Sequence, residues 1–226
     1  MESVKNRNVW MIVVFALLAC VAHGVVLFTP FNDYVYTSLV KLTLFTGLPL
    51  LHFAISKEGR FRGLFLPWEN KKSKKLSILL GAVAFVAVFI GFAIIRPWLD
   101  GVMVVNALSN AGITGDNYIF AITYYIIINV ALEELFFRGF IFLTLYRMGY
   151  KHFAHIFSSL LFALYHVAIM RYGATPGLLL VSAAGLVAVG LVFNQITKRC
   201  GNVIGSYIVH ASASLAISLV GFYFIR

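Results

Sequence analysis

Three ionisable residues interrupt a long apolar run in the middle of the chain. Glu133, Glu134 and Arg138 lie in the sequence NVALEELFFRG, within a stretch that is predominantly apolar from Tyr118 to Leu145. A charged side chain at bilayer depth costs roughly 2.5–3.5 kcal/mol, so such groups face a protein interior or an aqueous cavity and usually mark function. Carboxylates placed there can transfer protons or bind a metal ion. The run is therefore the first candidate for a functional site.

Helical spacing separates the roles of the two glutamates. Glu134 and Arg138 are four residues apart, so they can pair on one helix face in the favourable acid-first order. Glu133 lies about 100° further around the helix, on the stripe of Asn129 and Phe137, with no charged partner on its own helix. We therefore predict that Glu133 is the carboxylate available for chemistry. The alternative is that both acids are neutralised packing residues.

The composition indicates a membrane protein. Of the 226 residues, 61% are hydrophobic and 12% are charged, whereas soluble domains average about half apolar and about a quarter charged residues. The formal net charge is +10, but the basic residues lie in short loops between apolar spans, which argues against a nucleic-acid partner. The composition predicts an all-α, polytopic transmembrane helical bundle that forms a single domain over residues 1–226.

The apolar segments are each near the length of about 20 residues that a transmembrane helix needs. They cover roughly residues 9–28, 34–55, 76–98, 118–146, 153–171, 176–197 and 202–224. The fourth is long enough to be tilted or broken, so the pattern predicts seven transmembrane helices, or eight if that segment is divided. Three spans belong to the N-terminal region 1–117 and the others to the region 118–226.

Basic residues predict how these helices are oriented in the lipid bilayer. They cluster before the first span, in the loop 56–75 and in the loops after the fourth and sixth spans, whereas the alternate loops contain almost none. Lysine-rich and arginine-rich loops stay in the cytoplasm, so we predict a cytoplasmic N-terminus and a basic cytoplasmic loop at 56–75. That loop suits either an anionic lipid surface or a solvated position. The short loops favour a bacterial plasma membrane.

Two histidines lie at the depth of Glu133 on other spans. With a rise of about 1.5 Å per residue, Glu133 is roughly 21 Å from the cytoplasmic end of its helix. On the same basis His166 is roughly 21–22 Å and His210 roughly 16 Å from that side. A lone histidine on an apolar helix is more often a core residue than a ligand, but three titratable groups at one level can converge. We predict a shared site near mid-membrane.

Other notable residues of the spans are expected to serve the structure. His23 lies near the end of a span, where the interface would solvate it, and Lys41 and Arg96 can extend their side chains outward to water. Small residues on the sixth span, namely Ala184, Gly185, Ala188 and Gly190, predict a close approach between helices. None of these residues is expected to take part in chemistry.

Three short motifs follow one another along the second half of the chain. EELFFR at 133–138 matches the pattern EExxxR, FALYH at 162–166 matches FxxxH, and a third segment ends in the histidine of YIVHASAS. In order and spacing these motifs resemble the CAAX protease and bacteriocin-processing enzyme (CPBP) family, also called the Abi family. The resemblance covers about residues 118–218, which would form the four-helix catalytic core of that family.

The resemblance implies a role for each motif residue. Glu133 corresponds to the catalytic glutamate of the family. Glu134 and Arg138 would support it, and His166 and His210 would complete the site. The chemistry implied is hydrolysis of a peptide bond inside the membrane.

One position departs from the family pattern. The third motif of the family has asparagine or aspartate four residues after the histidine, where this chain has Ser214. Serine is a shorter and weaker hydrogen-bonding group than either. Ser214 is expected to help stabilise an oxyanion, and Asn129 or Asn194 could substitute for it.

The resemblance leaves two mechanisms open, because the family includes both glutamic-type and metalloprotease assignments. In the first, Glu133, assisted by His166, takes a proton from water, and His210 with Ser214 stabilises the oxyanion. In the second, Glu133, His166 and His210 bind Zn²⁺ with water as the fourth ligand, and Glu134 is the general base.

The resemblance also implies a membrane-anchored protein or peptide as the substrate. Family members trim prenylated C-terminal CAAX tails, and bacterial members process or sort peptides and membrane anchors. Two other functions fit the same residues. One is a catalytically silent protein that binds a peptide, for example in bacteriocin immunity. The other is a transporter with a proton or cation path, which would favour inverted repeats that the sequence does not show.

Overall fold

The computed structural model describes residues 2–29, 33–56, 64, 71–98, 101–110, 112–170 and 176–225. These residues are overwhelmingly helical and include no β-strand, which confirms the predicted all-α class. Most of the predicted cytoplasmic loop 56–75, namely residues 57–63 and 65–70, lies outside the described residues.

The helices run back and forth through one bundle. They are α1 (Glu2–Leu27), α2 (Tyr34–Ser56), α3 (Lys71–Ile95), α4 (Gly101–Asn110), α5 (118–147), α6 (Lys151–Met170), α7 (Pro176–Cys200) and α8 (Ile204–Ile225). Among the described residues, 6 helices are long and apolar enough to cross a membrane, all except α4 and α5. They coincide with the predicted spans other than the fourth. Because α5 covers that fourth span as one continuous helix, the count of seven stays a prediction.

The α5 helix alternates between α-helical and wider π-helical turns. π-type hydrogen bonding covers Tyr125–Asn129 and Glu134–Leu143, with the α-helical turn Val130–Glu133 between them. π turns are rare and frequently occur at functional sites. Here they include Glu134 and Arg138, so the irregular part of the helix coincides with the motif that the sequence singled out.

The basic ends of the helices meet at one end of the bundle, which we call the basic end. Arg147 donates from Nη2 to the carbonyl of Gly201 at 2.9 Å, and the Tyr150 hydroxyl donates to Asn6 Oδ1 at 2.9 Å. Leu64, in the loop after α2, accepts a hydrogen bond of 3.2 Å from the backbone just before α8. The loops that the charge pattern assigned to one side of the membrane therefore lie together. Their cytoplasmic location stays a prediction.

Aromatic side chains pack α5 against its neighbours towards the basic end. Phe45 of α2 stacks on Phe136 with ring centres 4.1 Å apart. Phe162 of α6 meets Phe137 edge-on at 5.4 Å. These rings are buried and form part of the hydrophobic core. The core thus holds α2 and α6 on either side of the segment that carries the glutamates.

One of the two glycines predicted to allow close helix approach does so. A Cβ on Gly190 would lie 3.0 Å from the Cα of Ser159 on α6, so a larger residue there would require α6 and α7 to move apart. A Cβ on Gly185 would meet nothing within 4 Å among the described residues. The expectation for Gly185 is therefore wrong, because that residue borders an internal cavity.

Candidate active site

Glu133 uses its two carboxylate oxygens differently. Oε1 accepts hydrogen bonds from Lys41 Nζ at 2.8 Å and from the Tyr165 hydroxyl at 3.3 Å. Oε2 accepts no hydrogen bond from the described residues and faces the Nε2 atoms of His166 and His210, at 3.5 and 3.7 Å. Because the residue is buried, these side chains fix its orientation. One oxygen is held, and the other is directed at the two histidines.

Each histidine is held through Nδ1, and its Nε2 faces this oxygen. His166 Nδ1 lies 2.9 Å from the carbonyl of Phe162, and His210 Nδ1 lies 2.9 Å from Glu134 Oε1. A carbonyl and an ionised carboxylate only accept hydrogen bonds, so each Nδ1 carries the proton and donates it. In the neutral imidazoles Nε2 is then unprotonated. The structure thus brings the three predicted side chains together with their acceptor atoms facing one another.

Lys41 corrects an expectation from the sequence. The sequence predicted that this lysine extends outward to water, yet its side chain is 6% exposed and its Nζ forms an ion pair with Glu133 Oε1. Lys41 is the eighth residue of α2, about two helical turns from the start of the helix. The buried carboxylate offers the ammonium a closer partner than water does. Glu133 therefore lacks a partner on its own helix but has one on α2.

Glu134 and Arg138 form the pair that their spacing predicts. Glu134 Oε1 and Arg138 Nη1 are 3.3 Å apart, and neither side chain is exposed. The guanidinium carbon lies 3.9 Å from the ring centre of Phe162 and 4.9 Å from that of Phe193, so the cation also packs on two aromatic faces. The same Glu134 oxygen accepts the bond from His210. This pair thereby fixes the orientation of the histidine.

The three residues suggested for oxyanion stabilisation lie in different places. Ser214 is buried and lies beside Tyr125. Asn129 borders the cavity and donates from Nδ2 to Tyr34 at 3.1 Å. Asn194 is buried between α6 and α7 and donates to two groups of α6 at 3.1 and 3.2 Å. An oxyanion role for any of them stays a prediction.

A cavity of about 780 Å³ leads to Glu133. This volume lies within the range of about 300–1,000 Å³ that is usual for ligand sites. Its wall includes Lys41, Tyr165, His166 and also His23, which is 3% exposed. The expectation that the interface solvates His23 is therefore wrong, because its ring packs 5.3 Å from that of Tyr165 in the interior.

The three converging residues also fit a metal ion. The ligand atoms of Glu133, His166 and His210 all lie within 4.8 Å of one another. Metal-binding histidines usually donate the other ring N–H to a carboxylate or a backbone carbonyl, as both do here. Glu133 Oε2 is buried with no hydrogen-bond donor among the described residues. The set suits Zn²⁺, whose catalytic sites commonly have two histidines and one glutamate. A bound Zn²⁺ stays a prediction.

Comparison with protein families identifies the class of protein. Residues 115–216 match the family model described as Type II CAAX prenyl endopeptidase Rce1-like. This match confirms the predicted CPBP resemblance and indicates a multi-pass membrane protease. No curated protein and no solved structure matches the chain.

Lys41 and Tyr165 are the site residues that sequence reasoning missed. Lys41 lies outside the matched region, in a span whose relation to the motifs only the fold reveals. The sequence did contain a signal for Lys41. A lysine well inside an apolar span usually pairs with an acidic side chain at that depth of the bilayer. Tyr165 directly precedes His166 within FALYH, and its position in the motif was the available signal.

The buried pair on α5 gives a stability prediction. Arg138→Met should destabilise the protein by about 3–5 kcal/mol, because Glu134 would remain buried without its counter-charge. Adding Glu134→Gln should recover much of that loss, since the double variant buries no unpaired charge. Reversible unfolding in detergent would measure both variants. Additive losses from the two substitutions would contradict the assigned pairing.

Proposed function

We propose that the protein is an intramembrane endopeptidase that hydrolyses a peptide bond of a membrane-associated polypeptide beside Glu133. The observation that carries this proposal is the Oε2 of Glu133, which is faced by two histidine nitrogens on a buried glutamate that lines a cavity together with His166. The family match over residues 115–216 supports the same reaction class.

The free oxygen of Glu133 is suited to activate water. A water between Oε2 and the Nε2 of His166 would donate one hydrogen to each, which directs its lone pair at a substrate carbonyl. Glu133 takes the proton as the water oxygen bonds to the carbonyl carbon. It then delivers this proton to the leaving nitrogen as the C–N bond breaks. Hydrogen bonds from Lys41 and Tyr165 occupy Oε1 of Glu133, so the proton transfer uses Oε2.

Lys41 is also the best-placed donor for the developing oxyanion. Its ammonium carries three N–H donors, one of which binds Glu133 Oε1, and it lines the cavity. Neutral His210 offers a lone pair on Nε2, so it would have to be doubly protonated to donate there. The ammonium of Lys41 already carries its protons, so it can donate to the substrate oxyanion without a change of protonation. Lys41 thus takes the part that the sequence comparison gave to Ser214.

A metal ion would use the same atoms. Glu133, His166 and His210 would hold it, and it would supply a Lewis acid that polarises the attacking water. In that form the sequence expectation makes Glu134 the base. However, its Oε1 contacts His210 and Arg138, and Glu134 is not among the described residues that line the cavity. These contacts support a positioning role for Glu134 in either form.

Substitution of the central carboxylate tests the proposed reaction. Glu133→Gln should lower kcat at least about 100-fold, because it removes the proton acceptor at nearly constant volume. Cleavage of a CAAX-type prenylated peptide and of membrane-anchored bacterial peptides by purified protein in liposomes, followed by mass spectrometry, would measure this effect. Glu133→Asp is the matched control that retains the charge. Full cleavage by the Gln variant would refute the assignment.

Lys41 should affect the chemical step more than substrate binding. Lys41→Met is expected to lower kcat by about 10²–10³-fold, as for loss of an oxyanion donor, with a smaller change in KM. Lys41→Arg retains a cation at the site and should recover part of the rate. Unfolding of each variant would be measured in parallel. A Met variant with unchanged kcat would show that Lys41 only balances the charge of Glu133.

Zinc binding should depend on the two histidines. We expect purified wild-type protein supplied with zinc to retain one equivalent by elemental analysis, and the His166→Ala/His210→Ala variant to lose it, because the Nε2 lone pairs are removed. Absence of zinc from wild type would contradict the metal fit. Cleavage assayed after chelation then separates the two mechanisms. Loss of activity would indicate that Glu133 is a metal ligand, and retained activity would indicate that it is the general base.

A further inference from the structure

Two lysines from different helices lie near one aromatic ring at the basic end. Lys151 is the first residue of α6, and its Nζ is 5.9 Å from the ring centre of Tyr146. Lys198 is near the end of α7, and its Nζ is 5.7 Å from the same ring centre. Cations at this distance are attracted to an aromatic ring, most strongly over its face. Tyr146 therefore has two positive charges beside it that come from separate helices.

The contact between α6 and α7 fixes the positions of these lysines. Asn194 of α7 donates from Nδ2 to the carbonyl of His155 on α6 at 3.2 Å. Lys198 follows Asn194 by about one helical turn, and Lys151 precedes His155 by about one turn. The two helices are antiparallel, so both lysines lie on the basic-end side of this contact. The ring of His155 is also 6.0 Å from that of Tyr146. Helix packing therefore brings the lysines to one seam between α6 and α7.

Among the described residues, neither of these lysines has an acidic partner. Both side chains are exposed, and the ion pairs of the described residues all involve Glu133 or Glu134. The sequence contains no aspartate or glutamate after Glu134, so α6, α7 and α8 cannot supply a counter-charge. Arg147 of α5 adds a third cation at this end of the bundle, where it donates to the carbonyl of Gly201. The seam therefore carries uncompensated positive charge and is complementary to an anion.

The surface beyond the lysines is suited to lipid acyl chains. Both α6 and α7 are long and apolar enough to cross a membrane, so residues at their ends lie near the level of the lipid headgroups. The outer faces of the two helices expose the apolar side chains of Ile156, Leu160 and Val192. An anionic phospholipid matches both parts of this surface, because its phosphate suits the lysines and its hydrocarbon suits the exposed apolar side chains. Free phosphate matches only the lysines.

We propose that Lys151 and Lys198 bind the headgroup of an anionic phospholipid at the seam between α6 and α7, beside Tyr146. The two ammonium groups donate hydrogen bonds to the phosphate oxygens, and the acyl chains lie along the outer faces of the two helices. Basic pockets between transmembrane helices bind the headgroups of anionic lipids in other membrane proteins. The site is separate from Glu133, so it does not depend on the proposed function.

Native mass spectrometry of the detergent-purified protein tests this site. The probes are phosphatidylglycerol and phosphatidylcholine with identical acyl chains, which differ in net charge, and wild type should bind the first more tightly. Lys151→Gln/Lys198→Gln should weaken binding of phosphatidylglycerol about 10- to 30-fold, the usual contribution of two lysines at an anionic lipid surface. Binding of phosphatidylcholine should change little. Lys151→Arg/Lys198→Arg retains both charges and should keep most of the affinity.

Two other exposed lysines at the basic end provide the matched control. Lys71 and Lys75 begin α3, whose Ser77 lies 3.8 Å from Cys200 on the face of α7 opposite Lys198. Lys71→Gln/Lys75→Gln removes the same charge and should leave the affinity for phosphatidylglycerol nearly unchanged. Thermal unfolding in lipid-free detergent should be the same for all variants, because all four lysines are exposed.

Three results would overturn the proposal. An equal loss of affinity in the two glutamine double variants would show a general attraction to the basic end. Equal affinity of wild type for the two lipids would show that the headgroup charge is not recognised. Displacement of phosphatidylglycerol by an equal concentration of inorganic phosphate would show a site for free phosphate.

Discussion

The buried ion pair between Lys41 and Glu133 is the interaction on which the site depends. A carboxylate at this depth without a counter-charge would be strongly destabilising. Lys41 supplies that charge from α2 at 2.8 Å, and the stacked rings of Phe45 and Phe136 hold α2 against α5. The pair also determines which carboxylate oxygen is occupied. The same ion pair therefore depends on the packing of α2 against α5, balances the charge of Glu133 and leaves its Oε2 facing the histidines.

The adjacent glutamates belong to separate networks because they project from different faces of α5. Glu133 faces Lys41, His166 and the cavity. Glu134 faces Arg138 and His210, away from the cavity wall. The second network orients His210 through Nδ1, and that histidine presents Nε2 to the first. Two neighbouring carboxylates can therefore serve different purposes without sharing a proton.

The two halves of the bundle meet different physical demands. Towards the basic end, aromatic rings and a glycine contact fill the interior, which fixes the positions of the motif residues. Towards the other end the described residues enclose the cavity, where polar and titratable side chains line its wall. Packed side chains on one side of the site and a cavity on the other are consistent with a membrane protease.

The sequence by itself determined the all-α membrane bundle, because hydrocarbon requires each spanning segment to satisfy its backbone internally and to be apolar along its length. It also gave the resemblance to the CPBP family, which the match over residues 115–216 supports, and the pairing of Glu134 with Arg138, which is a contact within one helix. The common depth of Glu133, His166 and His210 followed from helical rise alone.

Only the tertiary structure decided which helices are neighbours and which faces they share. It turned Lys41 inward, buried His23 on the cavity wall, and showed that Gly190 and not Gly185 makes the close approach. Each of these depends on a contact between residues far apart in the chain. Helical periodicity gives the depth and face of a side chain within its own helix, but the partner across the bundle is set by how the helices pack.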